Sequence, residues 1–301
     1  MAASIHRSET VRGALAAAGC YLVWGLFPLY WKQLASINSV ELIAHRHLWS
    51  LLFVVGAITA VRQWKAFGAA LRSRVALGVH VSSGVLLTLN WLVFIWGVNH
   101  GHVVEASLGY FLVPLVNVCL GRFALHEHLR RAQWLAIGLA GVGVMLLVIR
   151  VGKLPWIALS LAATFGIYGL LRKRSPLGPL LGLGVETLLL SPVALAFLIW
   201  REYAGAGAFG HGSTSIQVML VCAGVVTAIP LLLFAYGARR IRFTTLGLLQ
   251  YIAPTVQFAL GTWVYGEPFT RQQASAFAFI WAGLVLYTAD NLWNQPRLVM
   301  G

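Results

Sequence analysis

Arg46 stands in an apolar stretch where an ionised side chain costs ~2.5–3.5 kcal/mol at the bilayer centre on insertion scales, so it needs an interior position or a partner. Its run is Glu41-Leu-Ile-Ala-His45-Arg46-His47-Leu-Trp49. Glu41, His45 and Trp49 fall four apart and share one helix face, with Arg46 about 100° round from His45. A guanidinium suits a carboxylate or another planar anion. A structural ion pair or outward snorkelling accounts for Arg46 equally well. His45 has the chemistry of a proton carrier, or of a hydrogen-bonded packing residue.

Two carboxylates complete the set. Glu105 falls in the first turn of a helix, where the positive helix end favours it; the competing reading is a salt bridge to Arg46 that closes an outer mouth. Glu186 falls near mid-span with Thr187 beside it and no cation in its own helix. A carboxylate without water holds a proton more readily, as proton coupling requires, and a structural glutamate is the alternative. Tyr110, about a turn and a half deeper than Glu105, is placed to touch a cargo. Trp24, Asn90, Phe94, Tyr168, Gln250 and Tyr251 either line a weakly polar aromatic cavity with Arg46, His45 and Trp49 or pack between helices. Pro114 and Pro254 each remove a backbone donor in mid-span, which makes a packing kink or a hinge.

The elements that must hold these residues are membrane helices. Of 301 residues, 59% are hydrophobic and 10% charged, far below the ~25% charge of soluble domains, and the mean hydropathy is +0.79. Ten apolar runs of about 20 residues match a ~30 Å hydrocarbon core. They are expected near 11–31, 40–61, 75–98, 103–124, 132–149, 154–171, 178–200, 215–236, 243–264 and 271–290. The fold expected is an all-α integral membrane protein. With the N-terminus inside, sixteen of the 22 Lys and Arg lie at inner helix ends and five outside, which predicts both termini in the cytoplasm. That distribution makes the net charge of +14 topological and argues against nucleic acid.

An offset of 140 lays Pro114 on Pro254, Gly121 on Gly261, Glu127 on Glu267, Gln133 on Gln273 and Gly143 on Gly283. Two halves, 1–150 and 151–301, follow. Because each has five spans, the second enters from the opposite side, giving inverted repeats of the kind found in secondary carriers. Alanines 132, 136, 140 and 274, 278, 282 mark small faces for close helix contact. Glu127 and Glu267 read as turn residues that cap or pair ahead of the next helix. Cys20, Cys119 and Cys222 are expected to be free, buried thiols. The link 201–215, rich in Gly, Ala and Ser, is expected to be flexible, and 62–74, with Trp64 and Phe67, to anchor at the interface.

The sequence carries no G-x-x-x-x-G-K-[ST], HExxH or GxSxG pattern. The ligand types of His126-Glu127-His128 diverge on a helix, so neither a metal nor another cofactor is expected. The Gly25–Lys32 pattern G-x-x-P-L-Y-[WF]-K, ELIAHR at Glu41–Arg46, NWLVFIWGVN at Asn90–Asn99 and GHVVEASLGYFLVPLVNVCLG at Gly101–Gly121 resemble the RarD branch of the drug/metabolite transporter (EamA-like) superfamily. That resemblance implies a bacterial inner-membrane permease with a central cavity built by both halves, in a branch named for chloramphenicol sensitivity. The expected function is secondary transport of a small metabolite or amphiphilic drug by alternating access; the alternative is a non-transporting membrane protein, a lipid-handling enzyme or sensor subunit. Membrane lipids and a small-molecule cargo are the expected partners, and a homodimer stays open.

Overall fold

The computed structural model describes residues 2–99, 102–151, 156–265 and 271–294, apart from the side chains of 2–7, 95, 98–99, 103–108, 150–151, 258, 261, 272–273 and 291–292. The described chain is helical throughout, with no strand. The helices are α1 (Ala2–Trp31), α2 (Ser39–Ala60), α3 (Trp64–Arg72), α4 (Arg74–Asn99), α5 (Val103–Phe123), α6 (Arg131–Val151), α7 (Trp156–Arg174), α8 (Pro179–Tyr203), α9 (Thr214–Arg240), α10 (Phe243–Leu249), α11 (Ile252–Ala259) and α12 (Arg271–Trp293). Six helical stretches are long and apolar enough to cross a membrane, and shorter apolar helices cover 109–123 and 274–290.

Local chemistry sets the breaks. Asn38 starts α2 by accepting from the backbone N–H groups of Val40 and Glu41 at 3.0 and 3.3 Å, an N-cap that fills two orphan donors. The expected span 243–264 is interrupted: α10 ends at Leu249, α11 starts at Ile252, and a wider π turn occupies Leu260–Val264. Pro254 lies one turn beyond that break, where its missing N–H leaves the backbone free to reorient. Pro114, by contrast, sits inside an unbroken α5.

Helix pairing is reciprocal. α6 packs on α12 and α2 on α8, while α5 on α7 is matched by α11 on α1, and α1 on α9 by α7 on α4. Glycines set the tightest approaches. A Cβ on Gly143 would lie 2.5 Å from the Ala276 carbonyl oxygen, and one on Gly283 would lie 2.5 Å from that of Ala136. These four residues are two pairs at the offset of 140. The expected small face on the last helix is corrected: Ala278 and Ala282 are exposed, and Ala276, Ile280 and Gly283 make the contact, because those residues share the face that α6 occupies.

Other expectations are also revised. Cys20 is buried, but Cys119 and Cys222 lie on the bundle surface, since their helices present those faces outward. The link 201–215 is held down: Arg201 pairs with Glu41 at 2.9 Å, the Ala208 N–H donates to Glu41 at 2.6 Å, and the Phe209 ring packs 5.4 Å from His45. In α3, Trp64 is exposed, whereas Phe67 is buried against α8 beside Gly184.

Candidate functional site

Arg46 projects from α2 toward α9. Close helix contact permits this: a Cβ on Gly224 would lie 2.3 Å from the Trp49 backbone, and Ser50 donates to the Gly224 carbonyl at 3.0 Å. One turn along α9, Thr227 accepts the Arg46 Nε–H at 2.8 Å. The guanidinium lies 3.9 Å from the Trp91 ring centroid and 5.3 Å from Trp31. Cation–π attraction of this kind is worth about 0.5–2 kcal/mol per ring and partly offsets lost hydration. Among the described residues no carboxylate is within ion-pair distance of Arg46.

The guanidinium borders a cavity of about 80 Å³ at the centre of the bundle and a neighbouring one of about 420 Å³ that Trp91 and Tyr110 also line, the second inside the ~300–1,000 Å³ range of small-molecule sites. Trp24, Phe27, Phe165 and Leu231 supply apolar walls; Asn90, Tyr110, Gln250 and Gln257 supply polar points. Asn90, Gln250 and Gln257 are each held by a neighbouring helix. Asn90 donates to the Leu161 carbonyl and to Thr164, both at 2.9 Å; Gln250 accepts from Asn117 at 3.1 Å; Gln257 donates to the Trp24 carbonyl at 3.1 Å. Gln250 falls in the break between α10 and α11, so its side chain is delivered by a discontinuous helix.

The structure therefore gathers Arg46, Trp24, Asn90, Tyr110, Gln250 and Pro254 around one cavity, with Phe94 on its outer continuation. It does not bring His45, Trp49, Tyr168 or Tyr251 there. His45 and Trp49 turn to Phe209 on the far link. Tyr168 stacks on Phe234 at 5.8 Å, and Tyr251 is buried in the cluster between α6 and α12. Pro114 meets α10 instead, where a Cβ on Gly247 would lie 2.9 Å from its carbonyl oxygen. The Glu105 side chain, and with it the expected pairing to Arg46, lies outside the described residues. Thr227, Gln257 and Phe27 were not legible as site residues, because a threonine, a glutamine and a phenylalanine in apolar helices carry no distinguishing spacing.

Glu186 sits in a second polar centre. Arg172 from α7 reaches it at 3.2 Å, His80 Nδ1 from α4 lies 3.3 Å away, and Ser83 donates to the same oxygen. His80 Nε2 contacts Ser175 at 2.9 Å, and Arg172 donates to the Pro179 carbonyl at 3.2 Å. Gly182 makes the room, since a Cβ there would lie 2.5 Å from Arg172 Nη1. Arg172, one residue past the expected span 154–171 and so expected at a helix end, is thus 2% exposed and paired. Glu186 Oε2 has no hydrogen bond among the described residues, and Glu186 lines a smaller cavity together with Arg46, His47 and Thr227.

The two ends of the bundle differ. At the basic end, Lys173 donates to the Ala238 and Ile241 carbonyls at 3.0 and 2.6 Å, Arg239 to the Ser175 and Leu177 carbonyls, and Arg242 to that of His128. Glu127 caps α10 there, accepting the N–H groups of Phe243 and Thr244 at 2.6 and 3.0 Å. It was expected to serve the helix that follows it in sequence; Glu267 lies outside the described residues. At the far end, the larger cavity runs from Arg46 and Tyr110 to Leu34, Ala35 and Ile37 in the link before α2 and to Ser39 at its start.

Fold and site together define a membrane-embedded helical bundle with an internal cavity beside Arg46. The sequence model of the EamA-like transporter family matches residues 11–149 and again residues 154–289. The chain belongs to that family and is a multi-pass membrane protein. Among its relatives, the protein named Uncharacterized transporter YojE of Bacillus subtilis is 42% identical over 97% of this chain and 98% of its own. Protein RarD of Escherichia coli is 40% identical over 96% and 98%, and the Chloramphenicol-sensitive protein RarD of Pseudomonas aeruginosa 29% identical over 96% of each chain. The resemblance to RarD proteins is thereby shown. A solved crystal structure superposes with a TM-score of 0.69 over 92% of this chain and 97% of that one at 20% identity, a likeness of fold alone.

Proposed function

We propose that the protein is a secondary carrier that moves a small amphiphilic molecule across the bacterial inner membrane by alternating access. Its halves, 1–150 and 151–301, are inverted repeats of five spans each, with both termini cytoplasmic. The observation that carries the reading is the Arg46 cavity, which extends to one end of the bundle while arginine and lysine bonds to helix-end carbonyls hold the other end together.

The reciprocal helix pairing, the Gly143 and Gly283 contacts and the twofold family match support the duplication. A carrier built so can exchange the conformations of its halves about a fixed site. In the conformation described, the cavity faces the far end, which is the outside under the charge rule. Closing the far mouth and parting Lys173 and Arg239 from their carbonyls would present Arg46 to the inside. The contact of α5 at Pro114 with α10 at Gly247, next to the break before Pro254, is the proposed hinge.

Glu186 is the proposed proton-coupling residue, because one of its oxygens has no hydrogen bond among the described residues and the residue lines a cavity together with Arg46. His45, packed beside Glu41 and Phe209, is a weaker seat for that role. The test is counterflow in proteoliposomes: preloaded with a metabolite mixture, they should accumulate labelled cargo, and Arg46→Ala should abolish accumulation with insertion unchanged. Wild-type rates in that variant would remove the cavity from the transport path.

A further inference from the structure

The geometry points to the chemical class of the cargo: we infer that the cavity takes an amphipathic monocarboxylate, its carboxylate on Arg46 and its apolar body against the wall made by Trp24, Phe165 and Leu231. The inference rests on the carrier reading only for what happens after binding.

Three observations lead to it. First, Arg46 is 7% exposed and has no described carboxylate within ion-pair distance. A cation held so far from water binds a complementary anion more strongly than a solvated one does. Second, its directions are already assigned. The ring faces of Trp91 and Trp31 attend the guanidinium, and Nε is committed to Thr227. Neither terminal nitrogen makes a hydrogen bond to a described residue, leaving the two-pronged edge that matches a carboxylate. Third, the rest of the lining is neutral: Asn90, Tyr110, Gln250 and Gln257 complement a polar headgroup but balance no second charge. Glu186 in the adjoining cavity is already matched by Arg172. One cation and no free described carboxylate favour a monoanion over a dianion or an amine.

The experiment uses the purified full-length protein in detergent. Calorimetry and thermal shift compare benzoate, phenylacetate and indole-3-acetate with their primary amides and with the corresponding amines. The acids should bind at least about ten-fold more tightly than the amides, the discrimination expected of a charge-assisted pair, and the amines should not bind. Arg46→Gln should lower the acids to amide affinity, and Arg46→Lys should recover part of the loss, since it restores charge without the fork.

Equal affinity of acids and amides, preference for amines, no binding of any acid at millimolar concentration, or unchanged acid binding in Arg46→Gln would each overturn the inference. The comparison of acid with amide on the parent protein stands even if the variants fail to fold. Glu105→Gln is a further arm. Tighter acid binding in that variant would make Glu105 the counter-charge and overturn an open anion site; unchanged affinity supports it. Acids that bind but never exchange across proteoliposomes would sink the carrier reading alone. Exchange of some other cargo without acid binding would sink the inference alone.

Discussion

Arg46 and Arg172 are both buried guanidiniums, 7% and 2% exposed, yet their surroundings are opposite. Arg172 is closed into a set of Glu186, His80, Ser83 and the Pro179 carbonyl. Arg46 has rings, one hydroxyl and an open cavity. The first arrangement satisfies its charge internally and holds α4, α7 and α8 together. The second leaves a charge for something to answer. Burial of a cation therefore does not identify a binding site; the absence of an internal counter-charge beside empty volume does.

Removing one member of the satisfied set should have the largest effect on folding. Arg172→Met leaves Glu186 buried and unmatched, which costs about 3–5 kcal/mol when a buried pair is broken. Gel filtration and thermal unfolding in detergent should show aggregation or a markedly lower Tm, with substantial recovery in the double variant Arg172→Met with Glu186→Gln. A single variant as stable as the parent would erase the distinction between the two centres.

Arg46→Ala should do the reverse: transport lost, stability unchanged or raised, because an unmatched charge is removed from the interior. A fall in stability comparable to that of Arg172→Met would make Arg46 structural.

Smaller effects should follow at the supports. Thr227→Val deletes the hydroxyl that orients Arg46, a charge-assisted hydrogen bond worth about 1.5–3 kcal/mol, and should reduce flux roughly ten-fold in the counterflow assay with a smaller fall in Tm than Arg172→Met. Glu127→Gln weakens the cap on α10 by about 1 kcal/mol, expected as a modest lowering of the unfolding midpoint with the cavity residues undisturbed. If flux fell as far in Glu127→Gln as in Thr227→Val, the break near Gln250 would be tied to the cap instead of to the cavity.

Much of this was legible beforehand, and the reasons are physical. Apolar length marks helices because a spanning segment must satisfy its own backbone hydrogen bonds; among the described residues the expected stretches are helical, with the ninth broken and the short α3 added. Arg46, Asn90, Tyr110 and Gln250 stood out because polar groups in such stretches require an interior place. The same logic selected His45, Trp49, Tyr168 and Tyr251, which the fold turns elsewhere. Helical spacing gives the face a residue occupies but not which neighbour that face meets.

Hydropathy and the repeat frame, then, determined a helical membrane protein with Gly143 and Gly283 in equivalent places, since both follow from spacing along one chain. Only the tertiary structure decided which charges are answered. Arg172 lies 14 residues before Glu186 in a different helix, and Thr227 lies 181 residues from Arg46. Those distances close only when helices pack, so a cation that looked like a link residue became a structural pair, and one that could have been structural was left facing the cavity.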